Sequence, residues 1–211
     1  MREGEATREG ISSLLTVAVA KGRMQDEALG LLARAGVAVG AEALASRRLA
    51  VGDESGRHRF IFVKPADVPV YVEHGIADCG VVGRDVLLEA AADLLQPLDL
   101  KINRCLIAVA ARAGEDTARA GVLHVATKYP RVASAHFGAK GVPVEIIELS
   151  GSVELAPVLG LSDCIVDLVE TITESTGRLV VNRAGYQLKS EAVGKLISDL
   201  GRVVNNGGAK G

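Results

Sequence analysis

The hydrophobic pattern is clearest around residues 144–169. Val144 to Leu149 is a short β-branched run that reads as a strand. Ser150-Gly151-Ser152 breaks it with residues that cap a helix and leave backbone N–H groups free. Val153 to Leu159 predicts one or two helical turns, limited by Pro157. Gly160 to Asp163 turns the chain, and Cys164 to Val169 is a second apolar strand carrying Asp167 near its carboxyl end. Ligands of open α/β sheets bind just outside the carboxyl ends of strands, so Asp167 reads either as a ligand-facing acid or as a loop cap.

The same reading extends to both sides. Leu14 to Ala20 predicts a buried strand, followed at once by Lys21-Gly22-Arg23. A glycine between two cations at a strand end suits an anion, because the backbone can approach closely and the guanidinium offers a two-pronged donor. Met24 to Ala35 has helical spacing and Gly36 closes it. Residues 47–63 predict a hairpin around the turn Gly52 to Gly56, with Ser46-Arg47-Arg48 at its start. Asp67 opens a short helix that Gly75 stops, Ala77 to Gly83 is a strand, and Arg84 to Ala92 a helix. This half reads as an α/β domain with a largely parallel sheet. Asp93 to Leu100 is expected to be a connector, Asn103 to Ala111 and Leu123 to Ala126 strands, and Thr127-Lys128-Tyr129-Pro130 the start of a helix ending near Lys140. A hydroxyl and a lysine there suit a phosphate, and equally an ordinary cap. Arg178 to Asn182 is a strand and Lys189 to Gly201 a final amphipathic helix.

The elements group into two lobes with a ligand cleft between them: residues 14–95 plus 183–202, and residues 96–182, with mobile tails at 1–13 and 203–211. Composition narrows the classes. The chain has 211 residues, a net charge of -2 and 3% aromatics, with no basic block, so a nucleic-acid surface is not expected. No apolar run reaches the length of a membrane span and the charged N-terminus lacks a signal-peptide core, so a cytoplasmic protein is expected. Cys79, Cys105 and Cys164 read as reduced core thiols, and His58, His74, His124 and His136 lack metal-ligand spacing, so no protein-held metal is expected.

Several strings in one order carry a resemblance: Lys21-Gly22-Arg23, Ser46-Arg47-Arg48-Leu49, Asp67-Val-Pro-Val-Tyr-Val-Glu-His-Gly75, Ala77-Asp-Cys-Gly-Val-Val-Gly83 with Asp85-Val-Leu-Leu88, Ala126-Thr-Lys-Tyr129, and Gly151-Ser-Val-Glu-Leu-Ala-Pro157 leading to Asp163-Cys-Ile-Val-Asp167. From about Leu14 to Leu200 the chain resembles the short form of the ATP phosphoribosyltransferase family, the first enzymes of histidine biosynthesis. The resemblance implies a two-lobed fold like the periplasmic binding proteins (type II). It implies transfer of phosphoribosyl from phosphoribosyl pyrophosphate to N1 of ATP, with Mg²⁺ on the substrate phosphates. It also implies a homodimer joined by a regulatory subunit similar to histidyl-tRNA synthetase, and the chain's end soon after its last helix agrees with a short form. By the same resemblance Arg23 and Arg47 are the first candidates for catalysis, contacting pyrophosphate or ATP phosphates, with Arg47 acting across a dimer interface. Lys21 and Gly22 assist them, Asp167 holds the ribose hydroxyls, and Asp78, Ser150, Gly151 and Ser152 line the cleft.

The resemblance departs at one point. The family follows its Asp167-like acid with a Thr-Gly-x-Thr-Leu loop that cradles a 5-phosphate. Here Val169 leads directly into Glu170-Thr-Ile-Thr-Glu-Ser175, leaving about a dozen residues without counterpart, the size of a functional loop. Either the loop is deleted, or a mobile segment is left out of the sequence as read. A true deletion predicts poor phosphoribosyl pyrophosphate binding. The rival reading is a non-catalytic small-ligand or nucleotide-binding module on the same two-lobed fold.

Overall fold

The computed structural model describes residues 14–46, 48, 50–112, 114, 121–168 and 173–207. It divides into two compact units, residues 1–103 with 176–211 and residues 104–175.

The first unit is built on β1 (Leu15–Ala20), whose alternate residues serve two cores. Val17 and Val19 face one side with Met24, Leu31 and Leu32 of α1 (Arg23–Arg34), while Ala18 and Ala20 face the other. Gly36, at φ 82, ends α1, and the Val37 N–H closes back on the Leu32 carbonyl at 2.9 Å. After α2 (Ala41–Ala45), the predicted hairpin forms from β2 (Ala50–Gly52) and β3 (His58–Val63). Next come α3 (Asp67–Glu73), β4 (Cys79–Gly83), α4 (Arg84–Ala90) and β5 (Leu95–Asp99). The unit is completed by β11 (Gly177–Val181), α7 (Arg183–Leu188) and α8 (Ser190–Gly207). Its sheet order is β2-β3-β1-β4-β11-β5. Val193, Leu196, Leu200 and Val204 of α8 share the α1 side of the sheet, and Val68 and Val72 of α3 cover the other. There α3 comes so close that a Cβ on Gly80 would lie 2.8 Å from Val68 Cγ1 and 3.0 Å from the Ala18 carbonyl oxygen.

In the second unit β6 (Cys105–Ala111), β7 (Leu123–Thr127), β8 (Val144–Glu148), β9 (Cys164–Leu168) and β10 (Thr173–Ser175) form a sheet of order β10-β6-β9-β7-β8. Helix α5 (Pro130–Ala139) packs Ala133 and Phe137 against Val125, Cys164 and Val166. The opposite core joins Ala126 and Ile165 to Val153 and to Ala156 of α6 (Leu155–Val158).

Several expectations change. The first sheet is mixed: β1 pairs in parallel with β3 and β4, while β2, β11 and β5 run antiparallel to their neighbours. The expected connector at 93–100 contains β5, which tolerates Pro97 because an edge strand needs ladder bonds on one side only. The expected second lobe, 96–182, included β5 and β11, yet both strands belong to the first unit's sheet. The expected tail from residue 203 is helical to Gly207, anchored by buried Val204. Residues 1–13 lie outside the described residues.

Candidate active site

In the first unit the carboxyl ends of β1, β3 and β4 lie on one edge of the sheet. β1 and β3 end level, Ala20 opposite Val63, and the Lys21 N–H donates to the Val63 carbonyl at 2.8 Å. Lys21, Gly22 and Arg23 follow at this edge, all exposed. Gly22 adopts φ 100, ψ -151, a region essentially closed to residues with a Cβ, and it opens α1. The first N–H groups of that helix are thereby left to solvent or ligand, beside two cations. Because β2 is antiparallel to β3 with Ala50 opposite Ile61, exposed Arg48 precedes β2 at the same edge. Arg47 lies outside the described residues. The register adds Lys64, exposed just beyond Val63 and level with Lys21, a cation outside the expected site. At the end of β4, Asp85 is buried and folds back so closely that a Cβ on Gly83 would meet its Oδ1 at 2.1 Å. Glycine is required there to admit the carboxylate.

Asp78 is not part of this group. Cys79 pairs with Val17, so Asp78 sits level with Thr16 at the amino end of β4. That is five residues along β1 from Lys21, roughly 16 Å away at strand rise. Its Oδ2 accepts from the Thr16 N–H at 2.8 Å and from Lys189 Nζ at 2.9 Å, and Lys189 also donates to the Leu14 carbonyl. The expected cleft-lining acid is instead a strap between the first strand and the turn that joins α7 to α8. It was misplaced because the string Ala77-Asp78-Cys79 marks a strand without saying which end binds.

The second unit gathers the other expected residues. Parallel β7, β8 and β9 align Thr127 with Glu148 and with Val166, so their carboxyl ends share one edge. Ser150, Gly151 and Ser152 are exposed just past β8, and Ser152 holds a left-handed φ of 50. Consecutive N–H groups around such a residue form an anion-accepting concavity. The Leu149 N–H closes on the Thr127 carbonyl at 2.9 Å, tying this turn to β7. Thr127 is fully buried: its hydroxyl donates to the Val166 carbonyl at 2.6 Å and accepts from the Tyr129 N–H at 2.8 Å. The β7–α5 turn therefore sits against the end of β9. Asp167, next on β9, alternates onto the side of Ile165 and α6. Its Oδ1 accepts from the Leu168 N–H at 2.7 Å and from Lys128 Nζ at 2.9 Å. Among the described residues nothing meets Oδ2. Lys128 also lies 5.2 Å from the Tyr129 ring centroid. The sequence offered Thr127-Lys128 as a phosphate contact or a cap; the structure joins Lys128 to the acid.

Among the other ionisable groups, Asp53, Cys79 and Cys164 are buried. Asp53 is buried in the β2–β3 turn, and burial pushes its carboxyl up. Hydrogen bonds from the Ser55 hydroxyl and from the His58 N–H and ring outweigh this and hold its pKa at about 2. Burial pushes the Cys79 thiol to about 12 and Cys164 to about 11, as befits inert core thiols. Among the described residues no group of three or more His, Cys, Asp or Glu side chains is placed to hold a metal ion.

Residues 64–202 match the family described as HisG, ATP phosphoribosyltransferase. The chain belongs to the ATP phosphoribosyltransferase family. The ATP phosphoribosyltransferase of Halalkalibacterium halodurans is 45% identical over 211 aligned positions, covering 93% of this chain and 100% of that protein. An alignment of that length over 93% of a 211-residue chain contains positions this chain leaves empty. Among solved structures, the ATP phosphoribosyl transferase (HisG:HisZ) complex from Thermotoga maritima is 33% identical with a TM-score of 0.79, covering 91% of this chain and 99% of that one. The periplasmic VFT2 domain of Bordetella pertussis BvgS superposes with a TM-score of 0.54 at 14% identity, covering 96% of each chain, a likeness of fold alone. Together these give the type II two-lobed α/β fold. Separately, no described helix is long and apolar enough to cross a membrane.

Proposed function

We propose that this chain catalyses ATP + phosphoribosyl pyrophosphate → N1-(5-phosphoribosyl)-ATP + pyrophosphate, the first step of histidine biosynthesis. Membership of the family sets the reaction, and one observation carries its placement. Asp167, Lys128 and the Ser150–Ser152 turn converge at the carboxyl ends of β7, β8 and β9. The bond formed is adenine N1 to ribose C1, and the bond broken is C1 to the pyrophosphate oxygen, which leaves with the electron pair. Adenine N1 is a weak nucleophile and C1 gains positive charge, so rate comes from alignment and from neutralising the departing pyrophosphate. In this reading Asp167 accepts hydrogen bonds from the ribose hydroxyls and fixes the sugar. Gly151 and its neighbours offer N–H groups to an anion. Lys21, Arg23, Arg48 and Lys64 gather cationic charge at the first unit's binding edge for substrate phosphates, with Arg47 supplied across a dimer of two such chains.

In this reading Mg²⁺ arrives on the substrate phosphates, whose oxygens suit that hard cation. The likeness to the chain in the Thermotoga maritima HisG:HisZ complex supports a hetero-oligomer with a second, regulatory subunit; in this reading that subunit is similar to histidyl-tRNA synthetase and the assembly is cytoplasmic.

A second reading is favoured by one observation. β9 ends at Leu168 and β10 begins at Thr173, so residues 169–172 are all that stands where the family has its 5-phosphate loop. A chain that binds ATP without transferring phosphoribosyl fits that feature. One experiment separates the two. The purified chain, alone and with a regulatory subunit, is incubated with ATP, phosphoribosyl pyrophosphate and Mg²⁺, and the adduct is followed by mass spectrometry. Adduct formation abolished by Arg23→Ala supports the enzyme; ATP binding without any adduct supports the second reading.

A further inference from the structure

Asp167 Oδ1 already has two hydrogen-bond donors. It accepts from the Leu168 N–H at 2.7 Å and from Lys128 Nζ at 2.9 Å, while Oδ2 has no partner among the described residues. A carboxylate that chelates a vicinal diol uses both oxygens, so one of the two donors on Oδ1 has to leave. The Leu168 N–H is fixed in β9. Lys128 stands on a flexible four-carbon stem with 36% of its side chain exposed, and its other recorded contact is the Tyr129 ring.

We infer that Lys128 is an exchanging cation: it neutralises Asp167 while the site is empty and, once ribose hydroxyls take the carboxylate, moves its ammonium to a substrate phosphate. This rests on the reaction proposed above and adds to it a residue outside its expected site. The exchange keeps the site balanced. An empty site holding an unpartnered carboxylate would repel a polyanionic substrate, whereas the paired site does not. On binding, the charge released from Asp167 is available for the anion attached to that same ribose. No bond is made or broken; a hydrogen-bonded ion pair is exchanged for two others.

The test uses the full chain and two probes, phosphoribosyl pyrophosphate and inorganic pyrophosphate, by titration calorimetry with Mg²⁺. Lys128→Met is expected to weaken both about tenfold, the scale of one charge-assisted hydrogen bond, and Lys128→Arg to restore most of the loss. Asp167→Asn is expected to weaken phosphoribosyl pyrophosphate but to bind pyrophosphate as tightly as the parent or tighter. Thermal melts of the Lys128→Met protein should stay close to the parent, since Lys128 is about a third exposed and water can replace it on the carboxylate. A bound structure should show Lys128 Nζ beyond ion-pair distance of Asp167. If Lys128→Met weakens phosphoribosyl pyrophosphate but leaves pyrophosphate unchanged, Lys128 merely orients Asp167 and the exchange is wrong. If it changes neither, Lys128 has no role in binding. A parent protein that binds neither probe overturns both the reaction and the exchange, whereas adduct formation with an unaffected Lys128→Met overturns the exchange alone.

Discussion

Two aspartates in this chain have nearly the same local chemistry and opposite placements. Asp78 and Asp167 each accept from a lysine ammonium at 2.9 Å and from a backbone N–H. Asp78 stands at the amino end of β4, and its lysine is pinned twice, by the carboxylate and by the Leu14 carbonyl. Asp167 stands at the carboxyl end of β9, on the sheet edge that also carries an exposed turn with a left-handed serine, and its lysine has one carboxylate, the face of the Tyr129 ring and solvent. The difference lies in the end of the sheet and the freedom of the partner, not in the residue pair. Asp53, in the β2–β3 turn at the sheet edge where β1 and β3 begin, falls on the structural side: its two oxygens are taken by the Ser55 hydroxyl and by His58.

The sharpest break of this comparison is Asp167→Asn. It should lower kcat/KM for phosphoribosyl pyrophosphate about 100-fold, the loss of a charged acceptor to the ribose, with no change in Tm. A parallel fall in Tm would place Asp167 with Asp78. Asp78→Ala should do the reverse. It strands Lys189 and the Thr16 N–H and should cost about 3 kcal/mol in denaturant unfolding, while the folded fraction keeps its KM values. A raised KM for either substrate would return Asp78 to the binding site.

A smaller effect should separate Asp53 by pH. Its folded pKa of about 2 lies below the ordinary 3.8, so its contribution is present above pH 3.8 and is lost as pH falls toward 2. That contribution is about 2 kcal/mol. Urea midpoints from pH 6 down to pH 2 should show this loss, and Asp53→Asn should remove its share of it. The smallest change should come from Gly22→Ala. No atom lies within 4 Å of the added Cβ, so the cost is backbone strain alone, about 1 kcal/mol in unfolding. ATP affinity should fall as well if the α1 N–H groups meet its phosphates, and calorimetry would read this directly.

Much of this was legible along the chain because the signals were local. Lys21-Gly22-Arg23 after a buried strand, the Ser150–Ser152 break and Asp167 near a strand end were visible from hydrophobic period and glycine placement, and the strings they belong to pointed to the family. β5 was not legible, since Leu95-Gln-Pro-Leu-Asp99 has neither the period nor the propensity of a buried strand and is held by pairing with β11. The end of α8 was obscured because Asn and Gly are poor helix formers; burial of Val204 against the first core overrides them.

The sequence by itself determined which segments alternate and where the chain breaks, because side-chain period and turn chemistry are properties of neighbours along the chain. It could not determine which strands lie level with one another. That register puts Lys64 beside Lys21 and Lys128 beside Asp167, and sends Asp78 to the far end of its strand. Pairing between residues far apart in sequence is decided by how the whole sheet packs, so only the tertiary structure could tell an acid at the carboxyl edge from one at the amino edge.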